Sequence, residues 1–448
     1  MERASGGRGL ASGTNLPADS LASRSCRIGD VSFGAALDAA DRPRVSWAAP
    51  DGLELVGWGA AARLTAEGPD RFRTIAERAD ETFGALSYRG DDRARPRAFG
   101  GFSFHDRIDG GRTDGTRTWD GFAAGDFVIP NVQLSRHDDG SWLTVVGDER
   151  SVDGRLEEWR SRLEDFPSMR GAGTPPGIVS YARTTEHAAW TRQVERTLER
   201  ISAGDLRKVV LAQAMTAELG AEIDVPATLE RLRRRYPDCY RFAVDGGPST
   251  FFGAPPERLV AAAGRHLETE ALAGSVPRGE TPETDDEHAD RLRESEKLDR
   301  EHALVVDAIR SQLDPLSETV RVDARTVRRL ATIQHLQTPI RAELDEDRHV
   351  LEIVDALHPT PAVGGVPQRA ACETIRSVEP FDRGWYAAPV GWFDANGDGE
   401  FAVGIRSGVA TDRRVTLFAG NGIVADSDPD EEWREVELKF RPILDELR

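Results

Sequence analysis

The chain has 448 residues, with 77 acidic against 58 basic side chains, a formal charge of −19 and 39% hydrophobic content. That length supports one large domain or several ordinary ones, with a substantial core. The acidic balance argues against a nucleic-acid partner, whose phosphates it repels, and no run of about 18 apolar residues offers a membrane-spanning helix. Cys26, Cys239 and Cys372 are too few and too far apart for a disulfide framework or a zinc site. With no apolar signal core, the reading is a soluble protein of the reducing cytoplasm. Dense carboxylates with arginine in place of lysine resemble proteins of salt-rich cytoplasm, so a halophilic setting is expected. Nothing in the sequence sets an oligomeric state beyond allowing a monomer.

Residues 1–27 are rich in Gly, Ser and Arg and predict a disordered extension. Over 28–170 short apolar runs alternate with Gly/Asp turns, at 53–58, 98–104, 127–134 and 142–146, with a helix at 69–83. Residues 168–176 (SMRGAGTPP) read as a linker. Val194, Leu198 and Ile201 then mark a helix over 187–203, with Gly204 just past its end. A strand is predicted over 207–215, with Lys208, Val210 and Ala212 on one face. Further strands are expected at 250–252, 258–262 and 266–272, followed by one long charged helix over 286–313. Shorter helices are expected at 351–357 and 367–377. A hairpin joins 390–393 to 400–407, a strand covers 414–419, and a closing helix covers 433–447. Many strands with interspersed helices and no strict βαβ alternation indicate a large α+β fold.

Asp394, Asn396, Asp398 and Gly399 open like a calcium loop, but the twelfth position is Ile405 and the flanks read as strands, so a hairpin turn is expected. No nucleophile elbow, P-loop or zincin motif is present.

Only three lysines, Lys208, Lys297 and Lys439, stand against 55 arginines. An arginine stays protonated, whereas a lysine brought to neutrality by its surroundings can accept a proton. Lys208 sits in R-K-V-V-L-A, where apolar neighbours disfavour its charged form; the bland alternative is a strand-end lysine reaching water. Glu257 in A-P-P-E-R-L sits in a tight, partly apolar turn and is a candidate general acid; the alternative is a pair with Arg258. Lys297 and Glu301 lie four apart on a helix, an ordinary ion-pair spacing. In E-E-W-R-E-V-E-L-K, Glu432, Glu435 and Lys439 share a helix face, and two carboxylates there suit magnesium or simply a solvated acidic face. A base, an acid, a metal and cations for an anion fit proton transfer on an anionic small molecule. The residues alone do not name that molecule.

At these segments the chain resembles the chorismate-utilising enzymes, and most closely the isochorismate synthases. The resemblance spans 177–448 through RKVVLA, PERL, TEALAGS, SEKLDREH, QHLQTP, LHPTPAVGG, EPFDRGWY, GNGIV and EEWREVELK, in that order, and GGFSF at 100–104 extends it toward the N-terminus. It implies two stacked antiparallel sheets with helices outside, a cleft between them, and N- and C-terminal parts interleaved in a single unit. It also implies a magnesium-dependent conversion of chorismate to isochorismate, of the menaquinone-linked kind. Lys208 then corresponds to the base that activates water, and Glu257 to the acid that protonates the leaving C4 hydroxyl. Glu301 and Glu435 correspond to magnesium ligands, with Glu432 acting through water. Arg406 and Lys439 correspond to cations for the substrate carboxylates. Ala273, Gly274, Ser275, His335, Tyr386, Gly420 and Gly422 correspond to cleft-lining positions.

Within that group, aminodeoxychorismate synthases carry a nucleophilic lysine where this chain has Ala273. Anthranilate synthases usually carry glutamine at the place of Lys208. Salicylate synthases share the lysine and further eliminate pyruvate, so they remain an alternative. A non-catalytic relative would have lost Lys208, Glu257 or a metal carboxylate, and none is lost. Two departures stand out: Pro255 replaces the usual serine before Pro-Glu, and Asn421 the usual alanine of G-A-G-I-V.

Overall fold

The computed structural model describes residues 21–108 and 118–448, apart from the side chain of Lys297. The apolar alternation of the sequence becomes two large sheets, one of 13 strands and one of 10. Both draw strands from the two ends of the chain. In the first sheet Arg241–Asp245 pairs with Arg44–Ala48, and in the second Pro389–Asp394 pairs with Arg97–Phe102. The segments 28–170 and 177–448 therefore share both sheets. Among the described residues the pairing is antiparallel with one exception, the parallel contact of Leu21–Ile28 with Ser87–Arg89. A single apolar cluster joins the sheets, with Phe251 and Leu417 from the first and Phe127, Phe393 and Phe401 from the second. Helices flank them: Arg71–Gly84 packs on Ala62–Ala66, Glu296–Leu313 on His266–Pro277, and Pro429–Leu444 on Arg414–Ile423. The fold is α+β.

Several boundaries differ from the sequence prediction, each for a local reason. The predicted extension ends earlier: Leu21–Ile28 is a strand paired along its whole length with Gly140–Asp148, while residues 1–20 lie outside the described residues. The run 127–134 is two strands, Gly125–Ile129 and Val132–His137, which enter different sheets around Pro130, a residue without an N–H for either ladder. The predicted helix over 286–313 is two helices, Pro282–Glu294 and Glu296–Leu313. Ser295 breaks it by adopting extended geometry, and its hydroxyl accepts the Leu298 N–H. The strand at 400–407 stops at Val403, and Ser407 opens the next one. Ile333–Leu344, which pairs with His266–Pro277, was not expected as a strand, because Pro339 interrupts its pattern. The turn at 394–399 is a hairpin turn: Asp394 Oδ1 accepts the Asn396 N–H at 2.8 Å, and the strands on either side pair. The closing helix starts at Pro429, four residues early, on the cap of Asp428.

The strand Lys208–Leu219 carries the first candidate catalytic residue. One edge pairs with Arg414–Ile423. The other edge pairs with Gly365–Val366 at its start and with Ile178–Arg183 from Met215 onward. Between those partners its backbone groups would be left unpaired, which burial makes costly. A buried ion pair fills the gap. Arg383 Nη2 donates to Val210 O at 2.8 Å, and the Ala212 N–H donates to Glu379 Oε1 at 2.7 Å. Arg383 also grips both Glu379 oxygens, at 2.9 and 2.6 Å, and the Val363 carbonyl at 2.9 Å. Arg383 is 1% exposed and Glu379 5%. Removing one member of such a pair leaves a buried charge uncompensated, at about 3–5 kcal/mol. Glu379→Ala is expected to lose about that much stability in urea or guanidinium unfolding. A loss below about 1 kcal/mol would show that the pair is not what closes this edge.

Candidate active site

Lys208 is the first residue of its strand and 2% exposed, so it does not reach bulk water as a strand-end lysine would. The sequence shows the apolar run that follows it, but the structure adds a carboxylate: Nζ lies 2.9 Å from Glu301 Oε1. Glu301 comes from the helix Glu296–Leu313, which Ser295 starts. The expected i, i+4 pairing of Glu301 with Lys297 involves a side chain outside the described residues.

Glu257 sits in the turn before the strand Arg258–Ala263 and is 4% exposed. The alternative pairing with Arg258 does not form, because that guanidinium is engaged by Glu268, Glu400 and Asp51. Burial, reinforced by the nearby charge of Glu270, pushes the Glu257 carboxyl up to about 8, against the opposing pull of Lys208, Arg328 and Arg406. It is therefore a protonated acid at neutral pH. Glu270, held by Arg328 at 3.2 Å, was not recognised from sequence. Its strand alternation was visible, but a neighbour contributed by another strand was not.

A cationic wall comes from the turn after Val403. Arg406 has φ +47, in the left-handed region, where a β-carbon is strained. Its Nη2 lies 3.2 Å from His335 Nε2. His335 Nδ1 lies 3.3 Å from the Gly274 carbonyl and 3.0 Å from Ser275 Oγ. With Nδ1 donating to that carbonyl, Nε2 is left to accept from Arg406. Burial, then the charge of Arg406, hold His335 well below its ordinary range, so the ring is neutral. Gly274, at φ +72, makes the bulge between Ala273 and Ser275 that turns these groups inward. Tyr386 stacks on Phe418 with centroids 5.2 Å apart.

A carboxylate wall comes from the helix Pro429–Leu444. Its Glu435 Oε1 lies 3.0 Å from Lys439 Nζ. Glu432 is 7% exposed, and its Oε2 accepts from Asn421 at 2.5 Å. Opposite, Gly422 leaves the space a side chain would fill: a Cβ there would lie 2.8 Å from Lys208 Cε and 3.0 Å from Glu301 Oε1. Among the described residues no three His, Cys, Asp or Glu side chains are already gathered as a metal centre. The donors do fit a hard cation: all are oxygens carried on two helices that line one cavity, and Glu301 Oε1 borders the room left by Gly422. Magnesium typically takes one or two protein carboxylates and keeps waters.

One cavity, of about 170 Å³, gathers the candidate residues. Lys208, Glu257, Ala273, Gly274, Ser275, Glu301, His335, Tyr386, Arg406, Gly420, Gly422, Glu432, Glu435 and Lys439 meet there, from strands and helices spread over more than 200 residues. Glu379 and Arg383 lie in the quoted stretch EPFDRGWY, yet their support of the Lys208 strand was not read from it. Their spacing of four suggests a helical pair, and the intervening Pro380 conceals what they do.

A family profile described as "Chorismate binding enzyme" matches residues 12–448. The chain is 37% identical over 424 residues to the salicylate biosynthesis isochorismate synthase of Pseudomonas aeruginosa, covering 93% of this chain and 87% of that protein. It is 33% identical over 418 residues to isochorismate synthase MenF of Bacillus subtilis, covering 90% and 88%. The solved structure of MenF, the menaquinone-specific isochorismate synthase from Escherichia coli, matches with a TM-score of 0.80 at 25% identity, covering 96% of this chain and 95% of that one. Because the profile runs through both sheets and every wall of the cavity, the chain belongs to the chorismate binding enzyme family.

Proposed function

We propose that this chain is an isochorismate synthase, converting chorismate to isochorismate with magnesium. The observation that carries the reading is a buried amine and a buried protonated carboxyl on one cavity, beside an arginine with no ion-pair partner among the described residues. Relatives named as isochorismate synthases across most of the chain support it.

Arg406, with its direction set by His335, binds a substrate carboxylate. Lys208 takes a proton from water as the water oxygen bonds to C2. Both ring double bonds shift, from C1–C2 to C1–C6 and from C5–C6 to C4–C5, as the C4–O bond breaks. Glu257 gives its proton to the departing oxygen, which leaves as water. Proton return from Lys208 to Glu257 restores both groups, so water is neither gained nor lost overall. Glu301 and Glu435 would hold magnesium, with Glu432 behind them, and the cation would supply charge neutralisation at the substrate carboxylate. Lys439 lies on the same wall. Tyr386, Gly420 and the segment Ala273–Ser275 shape the space around the ring.

The menaquinone-specific relative from E. coli supports supply of isochorismate to quinone synthesis. A cytoplasmic, salt-tolerant setting belongs to the same reading; among the described residues no helix is long and apolar enough to cross a membrane. The product assay tests the reaction. Incubation with chorismate and magnesium at high salt is expected to give isochorismate alone. Pyruvate with salicylate would indicate a salicylate synthase instead, and unchanged chorismate a non-catalytic relative.

Lys208→Arg places a permanently protonated group there that cannot accept a proton, so turnover is expected to fall at least about 1,000-fold with the circular dichroism unchanged. Retention of a tenth of wild-type activity would exclude Lys208 as the base.

For Glu257, the acid form is present below about pH 8 and lost above it. The alkaline limb of kcat/KM is therefore expected near pH 8 and absent in Glu257→Gln, which keeps little activity. The stability sign follows from the raised value. The folded state holds this proton between the ordinary carboxyl range and about 8, so the Glu257 contribution to stability is lost as pH rises through that window. Glu257→Gln is expected to gain stability relative to wild type between pH 5 and pH 8.5. An unchanged difference across that range would place the carboxyl in its ordinary range.

A further inference from the structure

The strand Arg414–Ile423 ends through Gly420, Asn421 and Gly422. Strand alternation puts the two glycines on one face and Asn421 on the other. On the glycine face a Cβ would meet Tyr386 Oη at 3.1 Å from position 420, and Lys208 Cε at 2.8 Å from position 422. Asn421 points toward the helix Pro429–Leu444 and is 1% exposed. Its Nδ2 donates to Glu432 Oε2 at 2.5 Å and to the Glu432 carbonyl at 3.4 Å. Its Oδ1 accepts from Lys439 Nζ. The same ammonium donates to the Gly420 carbonyl at 3.0 Å and contacts Glu435 Oε1 at 3.0 Å.

An ammonium has three N–H donors, and here all three are engaged. An amide is also the group whose two ends satisfy a carboxylate and an ammonium together. An aspartate here would repel Glu432, and an apolar side chain would leave both partners short of a hydrogen bond where burial makes that costly.

We propose that Asn421 is a positioning residue for the carboxylate wall. Its amide holds Glu432 directly and Glu435 through Lys439, so that both carboxylates are oriented for a divalent cation before substrate arrives. The proposal rests on the magnesium-dependent reading above. Hydrogen-bond partners behind metal ligands commonly change metal affinity by about 10–100-fold.

The test is calorimetric titration of the full chain with magnesium chloride in the absence of chorismate, alongside steady-state kinetics. Asn421→Ala is expected to weaken magnesium binding about tenfold, with kcat at saturating magnesium and chorismate within about threefold of wild type. Asn421→Leu fills the volume without the hydrogen bonds, and is expected to show the same loss. In a Glu432→Gln background only the route through Lys439 to Glu435 remains intact, so Asn421→Ala is expected to cost less magnesium affinity than in wild type, about threefold instead of about tenfold. The proposal is overturned if wild-type protein binds no magnesium before substrate, if Asn421→Ala binds it as tightly as wild type, or if Asn421→Leu restores affinity. It is also overturned if the loss is the same in both backgrounds. A wild-type protein that binds magnesium yet leaves chorismate unchanged overturns the functional reading and leaves this one standing.

Discussion

The buried pair of Glu379 and Arg383 is the interaction on which the cavity depends. The Lys208 strand is flanked on one edge by two short partners that do not meet. Backbone groups in that interval lie in the core, where water cannot serve them. A guanidinium offers five donors in a fixed plane, and a carboxylate two acceptor oxygens. Together they supply Val210 with a donor and Ala212 with an acceptor, as a neighbouring strand would. The strand is therefore paired up to its first residue, Lys208, which stands beside Glu301.

The same burial that makes such pairs necessary also separates the roles of the ionisable groups. Glu257 is enclosed with another acid nearby, which favours its neutral form. Glu301 meets an amine, and Glu435 another. Three glutamates on one cavity thus have different electrostatic surroundings, because different elements bring different neighbours to them. Arg406 and His335 show the reciprocal case. A histidine kept neutral by burial can accept a hydrogen bond from an arginine, where a charged ring would repel it.

The positions of chemistry were legible in the sequence, while their partners were not. Lysine is so rare in this chain that Lys208 and Lys439 stand out from composition alone, and the ordered motifs bring in the remaining lining residues. Helices with a clear apolar stripe, such as His187–Ser202, were legible almost to the residue. Reading failed where one residue overrides a periodic pattern. Ser295 divides a charged helix by capping, Pro130 sends consecutive strands to different sheets, and Pro339 hides the strand Ile333–Leu344. It also failed for contacts between distant segments. Glu270 beside Glu257, Arg383 against Val210 and Asn421 between Glu432 and Lys439 arise from the sheet order, which no local pattern encodes.

The interleaving of the two ends has a consequence for how the molecule comes into being. The Lys208 strand requires Arg414–Ile423 as its neighbour, and the last helix closes the cavity with Glu432, Glu435 and Lys439. A nascent chain therefore carries half-built sheets until Arg414–Ile423 and Pro429–Leu444 have emerged. Pairings this far apart in sequence are slow to form, and unpaired edges waiting for them invite association with other chains. Biogenesis of this architecture leans on whatever shields those edges in the interval.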